Sequence, residues 1–367
     1  LEEEVKFLFV YDYPVSEGLA IQHMNSFIKL AQALDRIFVL PNVGESHIGS
    51  CQTLPFNIYY SIDFLRQKYP KVTFITQMEL IEWSRSQSEY TKVHHAYIEK
   101  GGINTFVEID NIDYKSYNTT CLYKQLLINY NMTSYQKFHM GKGFWKLDII
   151  REKFTKILID NLQTEAQIML MSYNMYLDFF PEEISYSIYS KDILVEADRI
   201  INKLQPFIAI YLNVEFNKST QLESCARHLV EALKKFEHVF KIKNIYFTTI
   251  NKGTSIYDIL IEHQQDMMKT LNQKMSFNNL ISMESFNKNL TDAENLQDFD
   301  YVNFIEDIKE FEGTGIYEIL DKLVSINADY FLADLSGCPS IADSFRDHVV
   351  KARKTMIFNE GNQKLKN

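Results

Sequence analysis

The stretch Val5–Val43, VKFLFVYDYPVSEGLAIQHMNSFIKLAQALDRIFVLPNV, decides the fold. Two runs rich in apolar, β-branched and aromatic residues, Val5–Tyr11 and Ile37–Pro41, read as strands. Between them lies a loop with Glu17-Gly18, and then apolar residues at helical spacing: Leu19, Phe27, Leu30, Ala31 and Leu34. Strand, loop, helix and strand in that order build a parallel sheet. Ligands in such sheets sit at the carboxyl ends of the strands, beside helix N-termini. Glu17 and Gly18 fall at that place. Glycine lets a backbone approach a ligand closely, and the first N–H groups of a helix can donate to an anion. An ordinary strand-to-helix turn with a surface glutamate would leave the same trace.

The pattern continues outward from this unit. A helical Ile62–Gln67 precedes the apolar Val72–Thr76, and a helical Met78–Ser84 precedes Thr105–Ile109. From Trp145 to Leu162, Leu147, Ile150, Phe154, Ile157 and Leu158 share one face of an amphipathic helix. Lys191–Leu204 is a second helix. Pro206 cannot continue it, so Phe207–Leu212 starts a strand. Helices near Gln221–Phe236 and Ser255–Leu271 alternate with the strands Ile245–Thr249 and Leu280–Met283. Ile316–Ile326, Asp329–Ala333, Ser340–Lys354 and Met356–Phe358 complete the alternation. The fold class is therefore α/β, with two Rossmann-like domains built on mostly parallel sheets and facing across a cleft. The expected division is an N-terminal domain over 1–195, a C-terminal domain over 196–355 and a tail over 356–367. The polar segments Arg85–Gly102 and Glu284–Phe311 are expected to border the cleft or the surface.

Composition narrows the function classes. With 367 residues, 46% of them hydrophobic, the chain can bury the cores of two ordinary domains. A net charge of −10 and the lack of any basic run give no footprint for nucleic acid. The 26 Phe and 22 Tyr suit a core, or sugar-stacking at a glycan site. No apolar stretch reaches the roughly 18–20 residues of a spanning helix. The sequence begins at Leu1, so a leader or anchor removed from the N-terminus is the only membrane link expected. Sequons at Asn118, Asn131, Asn217 and Asn289 permit a secretory setting. Cys51, Cys121, Cys225 and Cys338 lack a C-x-x-C pair, which argues against zinc ribbons and thioredoxin chemistry; buried thiols and one or two bridges remain open.

Three blocks carry a resemblance. Glu17-Gly18 is followed by a helix and then Leu30-Ala31-Gln32-Ala33-Leu34-Asp35-Arg36-Ile37-Phe38-Val39-Leu40-Pro41. The strand Phe207–Leu212 leads into Asn213-Val214-Glu215, and Leu320-Asp321 precedes Ala328-Asp329-Tyr330-Phe331 and a loop with Ser336 and Ser340. In order and separation these resemble the GDP-fucose protein O-fucosyltransferase family. The resemblance implies the GT-B arrangement of two Rossmann-like domains. It also implies an inverting transfer of fucose from GDP-fucose to a hydroxyl of protein or glycan, in the endoplasmic reticulum or Golgi lumen, with no required cofactor or metal.

Such a reaction needs an acceptor for the hydroxyl proton and donors or cations for the leaving diphosphate. By the resemblance, Glu17 is the catalytic base and Gly18 lies beside the nucleotide sugar. Asp321 matches the acid that accepts the N–H groups of guanine, and a carboxylate can take two such bonds. Ser336 and Ser340 stand where the family's hydroxyls meet phosphate; Ser340 also precedes a helix, whose first N–H groups could hold an anion. Tyr211 and Asn213 depart from the family's His-x-Arg, and asparagine supplies neither the charge nor the fork of arginine. Ala20 replaces an asparagine of relatives. Arg227, Lys218, His23 and Arg346 are candidate compensating cations. The departures motivate a second expectation, a binding protein that keeps the fold without catalysis.

Other patterns are weak. Asp298-Phe299-Asp300 fits a D-x-D metal motif but lies in an acidic segment where it arises easily. His94 and His95, if helical, would point about 100° apart and make a poor metal pair. Gly141-Lys142-Gly143 lacks the spacing of a phosphate loop.

Overall fold

The computed structural model describes residues 5–13, 17–44, 47–87, 91–100, 107–111, 133–140, 148–174, 188–212, 238–242, 244–249, 279–281, 315–333 and 344–364, with 228 and 232 singly. The chain divides into two compact units, Leu1–Lys191 and Asp192–Asn367.

The first unit is built on seven strands: β1 (Phe7–Asp12), β2 (Ile37–Leu40), β5 (Phe74–Thr76), β6 (Val93–Lys100), β7 (Val107–Asn111), β8 (Thr133–Met140) and β9 (Ile168–Asn174). Their order is β5-β2-β1-β9-β6-β8-β7. All neighbouring pairs are parallel except β7 with β8 at the edge. A small ribbon, β3 (Val43–Gly44) with β4 (His47–Ile48), stands apart. Helix α1 (Glu17–Ala33) buries Ala20, Met24, Phe27, Ile28, Leu30 and Ala31 completely; of the expected apolar set Phe27, Leu30 and Ala31 are in this core, whereas Leu19 is half-buried and Leu34 lies just past the helix. The short α2 (Ile62–Lys68) starts on Ser61, whose hydroxyl accepts from the Phe64 N–H. Helix α3 (Gln77–Ser86) starts on a capping box between Thr76 and Glu79. It packs Leu80, Ile81 and Trp83 against Phe7, Phe9, Val39 and Leu170 of the sheet. Helix α4 (Asp148–Leu162) buries Phe154 and Leu158.

Arg36 closes the amino-terminal edge of this sheet. Its guanidinium donates to the carbonyls of Ala166 and Thr164, both at 2.7 Å, and of Phe7 at 3.4 Å. The arginine of the opening motif is thus a structural clamp at the end of the sheet opposite the ligand side.

Strands β6, β8 and β9 escaped the sequence reading, as did the two-residue strands β3 and β4. Arg85–Gly102, expected as a polar border, contains β6, which lies inside the sheet between β9 and β8. Its histidines hide it, because two of their hydrogen-bond partners, Tyr11 and Ser134, are remote in sequence. His95 Nε2 bonds to the Tyr11 hydroxyl at 2.9 Å and its Nδ1 to that of Tyr97 at 3.2 Å, while His94 Nδ1 meets Ser134 Oγ at 2.9 Å. Burial holds the pKa of His95 down to about 3 and that of His94 to about 4, so both rings are neutral. The two sit consecutively on a strand, on opposite faces, rather than on a helix. Strand β8 mixes polar and aromatic residues without an apolar run, and the Ile-Met-Leu-Met run of β9 is equally good helix.

The second unit begins inside the first turn of α5 (Lys191–Leu204), which buries Ile193, Ala197, Ile200, Ile201 and Leu204. Four parallel strands follow: β10 (Phe207–Leu212), β11 (Asn244–Thr249), β12 (Asn279–Ile281) and β13 (Tyr330–Leu332), in the order β12-β11-β10-β13. Helices α6 (Ile316–Asn327) and α7 (Ser344–Lys364) complete the described part. Met356–Phe358, expected to follow the last helix as a separate apolar segment, instead continues α7. The helices expected near Gln221–Phe236 and Ser255–Leu271 lie almost wholly outside the described residues, as does Glu284–Phe311 with Asp298 and Asp300.

Asp329 ties β13 to β10. Its carboxylate accepts from the Phe207 N–H at 2.8 Å, and its own N–H donates to the Phe207 carbonyl at 3.1 Å. Asp329 is exposed, so Asp329→Ala is expected to cost about 1 kcal/mol and lower the Tm by about 2–4 °C. Calorimetric melting checks this; an equal loss of nucleotide affinity would show that Asp329 serves a site instead.

Candidate active site

Both sheets share one topological feature. In the first unit the chain runs outward from β1 to β2 and β5, and a later strand, β9, fills the other side of β1. In the second it runs from β10 to β11 and β12, and β13 fills the other side of β10. The carboxyl ends of β1 and β10 are therefore the switch points where doubly wound sheets open a crevice for ligands.

Glu17 follows the end of β1 by five residues and opens α1. It is the first helical residue rather than a loop residue, and Gly18 lies buried in the same turn. Negative charge in the first turn suits the helix dipole. The same charge disfavours a phosphate at this helix start. Glu17 is only 8% exposed, and its Oε1 accepts two phenolic hydrogen bonds, from Tyr60 at 3.0 Å and Tyr189 at 2.9 Å. The Tyr60 and Tyr189 rings stack, with centroids 5.8 Å apart and planes at 27°. Burial first, and then the Glu17 charge, push the Tyr60 phenol well above its ordinary range, so it stays protonated and donates. Neither tyrosine stands in a motif. Both lie far along the chain from Glu17, and their only sequence signal is a phenol beside apolar residues.

Asp12 closes β1 at the same edge, after a register shift against β9. Burial raises its carboxyl pKa, partly offset by the Tyr13 backbone and the neighbouring His47. His23, one of the candidate cations, is fully buried in α1, and burial lowers its pKa to about 3. It is neutral and supplies no charge to a diphosphate.

In the second unit Tyr211 lies near the end of β10, buried and stacked on Phe345 of α7, with centroids 4.7 Å apart and planes at 19°. The Tyr211 ring is thus packed against a helix. Asp321 projects from α6 toward β11, where its Oδ1 accepts from the Tyr246 hydroxyl. Burial pushes its pKa up to about 6, with the Tyr246 and Thr248 hydroxyls pulling the other way. Arg346 pairs with Asp347 on the surface of α7, at 2.9 Å. Asn213, Ser336, Ser340, Lys218 and Arg227 lie outside the described residues. Glu17 and Gly18 are thus brought together at one switch point, and Tyr211 lies at the other. Asp321 sits beside β11, the neighbour of β10.

Among the described residues there is no His, Cys, Asp and Glu cluster fit to hold a metal ion, and no helix long and apolar enough to cross a membrane. Cys51 is disulfide-bonded; Cys121, Cys225 and Cys338 lie outside the described residues.

No family model and no curated protein matches this chain. Solved structures do. POFUT1 in complex with GDP is 11% identical over 96% of this chain and 96% of that one, with a TM-score of 0.52. A second such complex with GDP gives 12% and 0.51, covering 96% of this chain and 95% of that one. The complex of POFUT1 with GDP-fucose gives 12% and 0.50, covering 96% and 94%. The chain has the fold of these proteins. At such identity the likeness extends to the α/β, GT-B class of architecture and no further.

Proposed function

We propose that this chain is a divergent member of the GDP-fucose protein O-fucosyltransferase family, an inverting glycosyltransferase that moves fucose from GDP-fucose to a hydroxyl of protein or glycan. The observation that carries the reading is the buried Glu17 carboxylate at the β1 switch point, in a chain whose likeness to POFUT1 complexes with GDP and GDP-fucose spans both proteins almost end to end. Glu17 accepts the proton of the acceptor hydroxyl as the oxygen attacks the anomeric carbon of fucose and GDP departs from the opposite face. Asp321 reads the guanine, and Gly18, Asn213, Ser336 and Ser340 serve the nucleotide sugar. The acceptor belongs to the first domain, 1–195, and the nucleotide sugar to the second, 196–355. The reaction requires no metal or further cofactor. The Cys51 disulfide supports an oxidising compartment, in keeping with a secretory lumen.

Release of GDP from GDP-fucose by the purified chain tests this. No turnover with GDP-fucose, GDP-mannose or UDP-sugars, under conditions where POFUT1 works, would count against it. A second reading rests on Tyr211, whose stacking on Phe345 is packing rather than phosphate chemistry: a binding protein that holds a nucleotide or glycan without turnover. Activity that appears only when Ala20→Asn and Asn213→Arg are combined would favour that reading.

Asp321 gives a prediction with two arms. As a guanine acceptor it must be ionised, so Asp321→Asn is expected to weaken GDP at least about tenfold in a calorimetric titration. Wild-type affinity should also fall as pH drops from 7.5 to 5, through the carboxyl's pKa of about 6. Stability moves the other way. The folded pKa lies above the ordinary value of 3.8, so the group's contribution is fully present below that pH and is lost as pH rises through about 6. Asp321→Asn should flatten that loss in melts across pH 4–7. Unchanged GDP affinity in the variant places the guanine elsewhere.

A further inference from the structure

The chain leaves the first unit through Ile188, Tyr189 and Ser190, and all three are docked. Ser61 N–H donates to the Ile188 carbonyl at 2.7 Å, and Ser190 N–H to that of Tyr59 at 2.8 Å. The Ser190 hydroxyl donates to the Ile58 carbonyl at 2.9 Å, and Tyr60 bridges Tyr189 in antiparallel fashion. Lys191 then opens α5, and the division between the units falls directly after it. Glu17 Oε1 is therefore held by one hydroxyl from the turn at 56–60 and another from the segment that leads out of the unit.

This arrangement bears on chemistry. The terminal torsion of a glutamate is broad and roughly two-fold, so a carboxylate left alone samples many orientations. Two donors on one oxygen restrict the carboxylate plane, which sets where the other oxygen points. Resting on the reading of Glu17 as base, we propose that Tyr60 and Tyr189 are positioning residues for Glu17, and that through Tyr189 the segment joining the two units governs the orientation of the carboxylate. The regulated group is the base itself, since a displacement of residues 188–190 moves a donor on its Oε1. Proton acceptance is then tied to the position of the junction, and a chain whose junction is displaced binds donor without using it.

The test is a mutant cycle on the full chain, with GDP release from GDP-fucose as readout. Tyr60→Phe and Tyr189→Phe keep the ring stack and remove only the hydroxyl. Each is expected to lower kcat about tenfold, with KM for GDP-fucose within about twofold and Tm within about 3 °C of the parent. In a Glu17→Gln background neither should lower kcat further, because both act through the carboxylate. Unchanged kcat in the single variants, or full additivity in the cycle, overturns the proposal. A parent chain that releases no GDP sinks the reading of Glu17 as base instead. Hydrogen exchange then judges the latch. Glu17→Leu should speed exchange of the Ser61 and Ser190 amides about tenfold or more, with Glu17→Gln close to the parent. Equal protection in all three chains overturns the latch whatever the activity.

Discussion

Glu17→Gln is expected to lower kcat for fucosyl transfer by about 10²–10⁴, the range a positioned general base contributes. The substitution keeps an acceptor oxygen for Tyr60 and Tyr189 and removes the basic lone pair and the charge. Charge-assisted bonds are roughly twice as strong as neutral ones, so some stability goes with them, but the packing of the two rings is untouched. GDP affinity should stay within about twofold of the parent, since the base meets the acceptor rather than the nucleotide. Steady-state kinetics with GDP-fucose and a calorimetric titration with GDP separate the two quantities. A kcat within threefold of the parent would show that another group takes the proton. Asp12, at the end of the same strand, would be the next to replace.

Arg36→Ala is the substitution expected to cost most in stability. The side chain is 5% exposed, and burial lowers its pKa to about 10, which still leaves it charged at neutral pH. It donates to carbonyls of β1 and of the residues entering β9. Truncation removes the guanidinium's bonds to partly buried carbonyls and leaves a gap at the ends of two central strands. An expected loss of about 3–4 kcal/mol follows, enough to lower the Tm by about 10 °C. Arg36→Lys should recover little, since one ammonium cannot span acceptors that the guanidinium fork reaches together. Urea melts of the three chains decide it. A loss below 1 kcal/mol would mean that water replaces the clamp.

How much was legible in advance follows from where each signal was stored. The opening unit was readable because its code is local: β-branched runs in β1 and β2, and helical spacing in α1. The strands β6, β8 and β9 were not. In β6 the burial of His94 and His95 draws on Ser134 of β8 and Tyr11 of β1, partners that the local sequence does not show. In β9 methionine and leucine serve helix and strand equally, and only the neighbours β1 and β6 decide. The candidate site divides the same way. Glu17 was found by its place after the first strand, whereas Tyr60 and Tyr189 meet it only in three dimensions. His23 was named as a compensating cation from its type alone, and burial takes the charge away.

Arg353, on α7, donates to the carbonyls of Ser325, Ile326, Ala328 and Asp329, the residues that end α6 and lead into β13. The chain between them spans some two dozen residues, so during synthesis α6 and the start of β13 leave the ribosome before the group that caps them. Until α7 arrives those carbonyls face water, and the start of β13 is held to β10 only by its short ladder and the Asp329 bonds to Phe207. Vectorial folding of the second unit is therefore completed by its last described helix. A nascent chain halted before Arg353 should remain protease-sensitive in this unit while the first unit, already whole, resists.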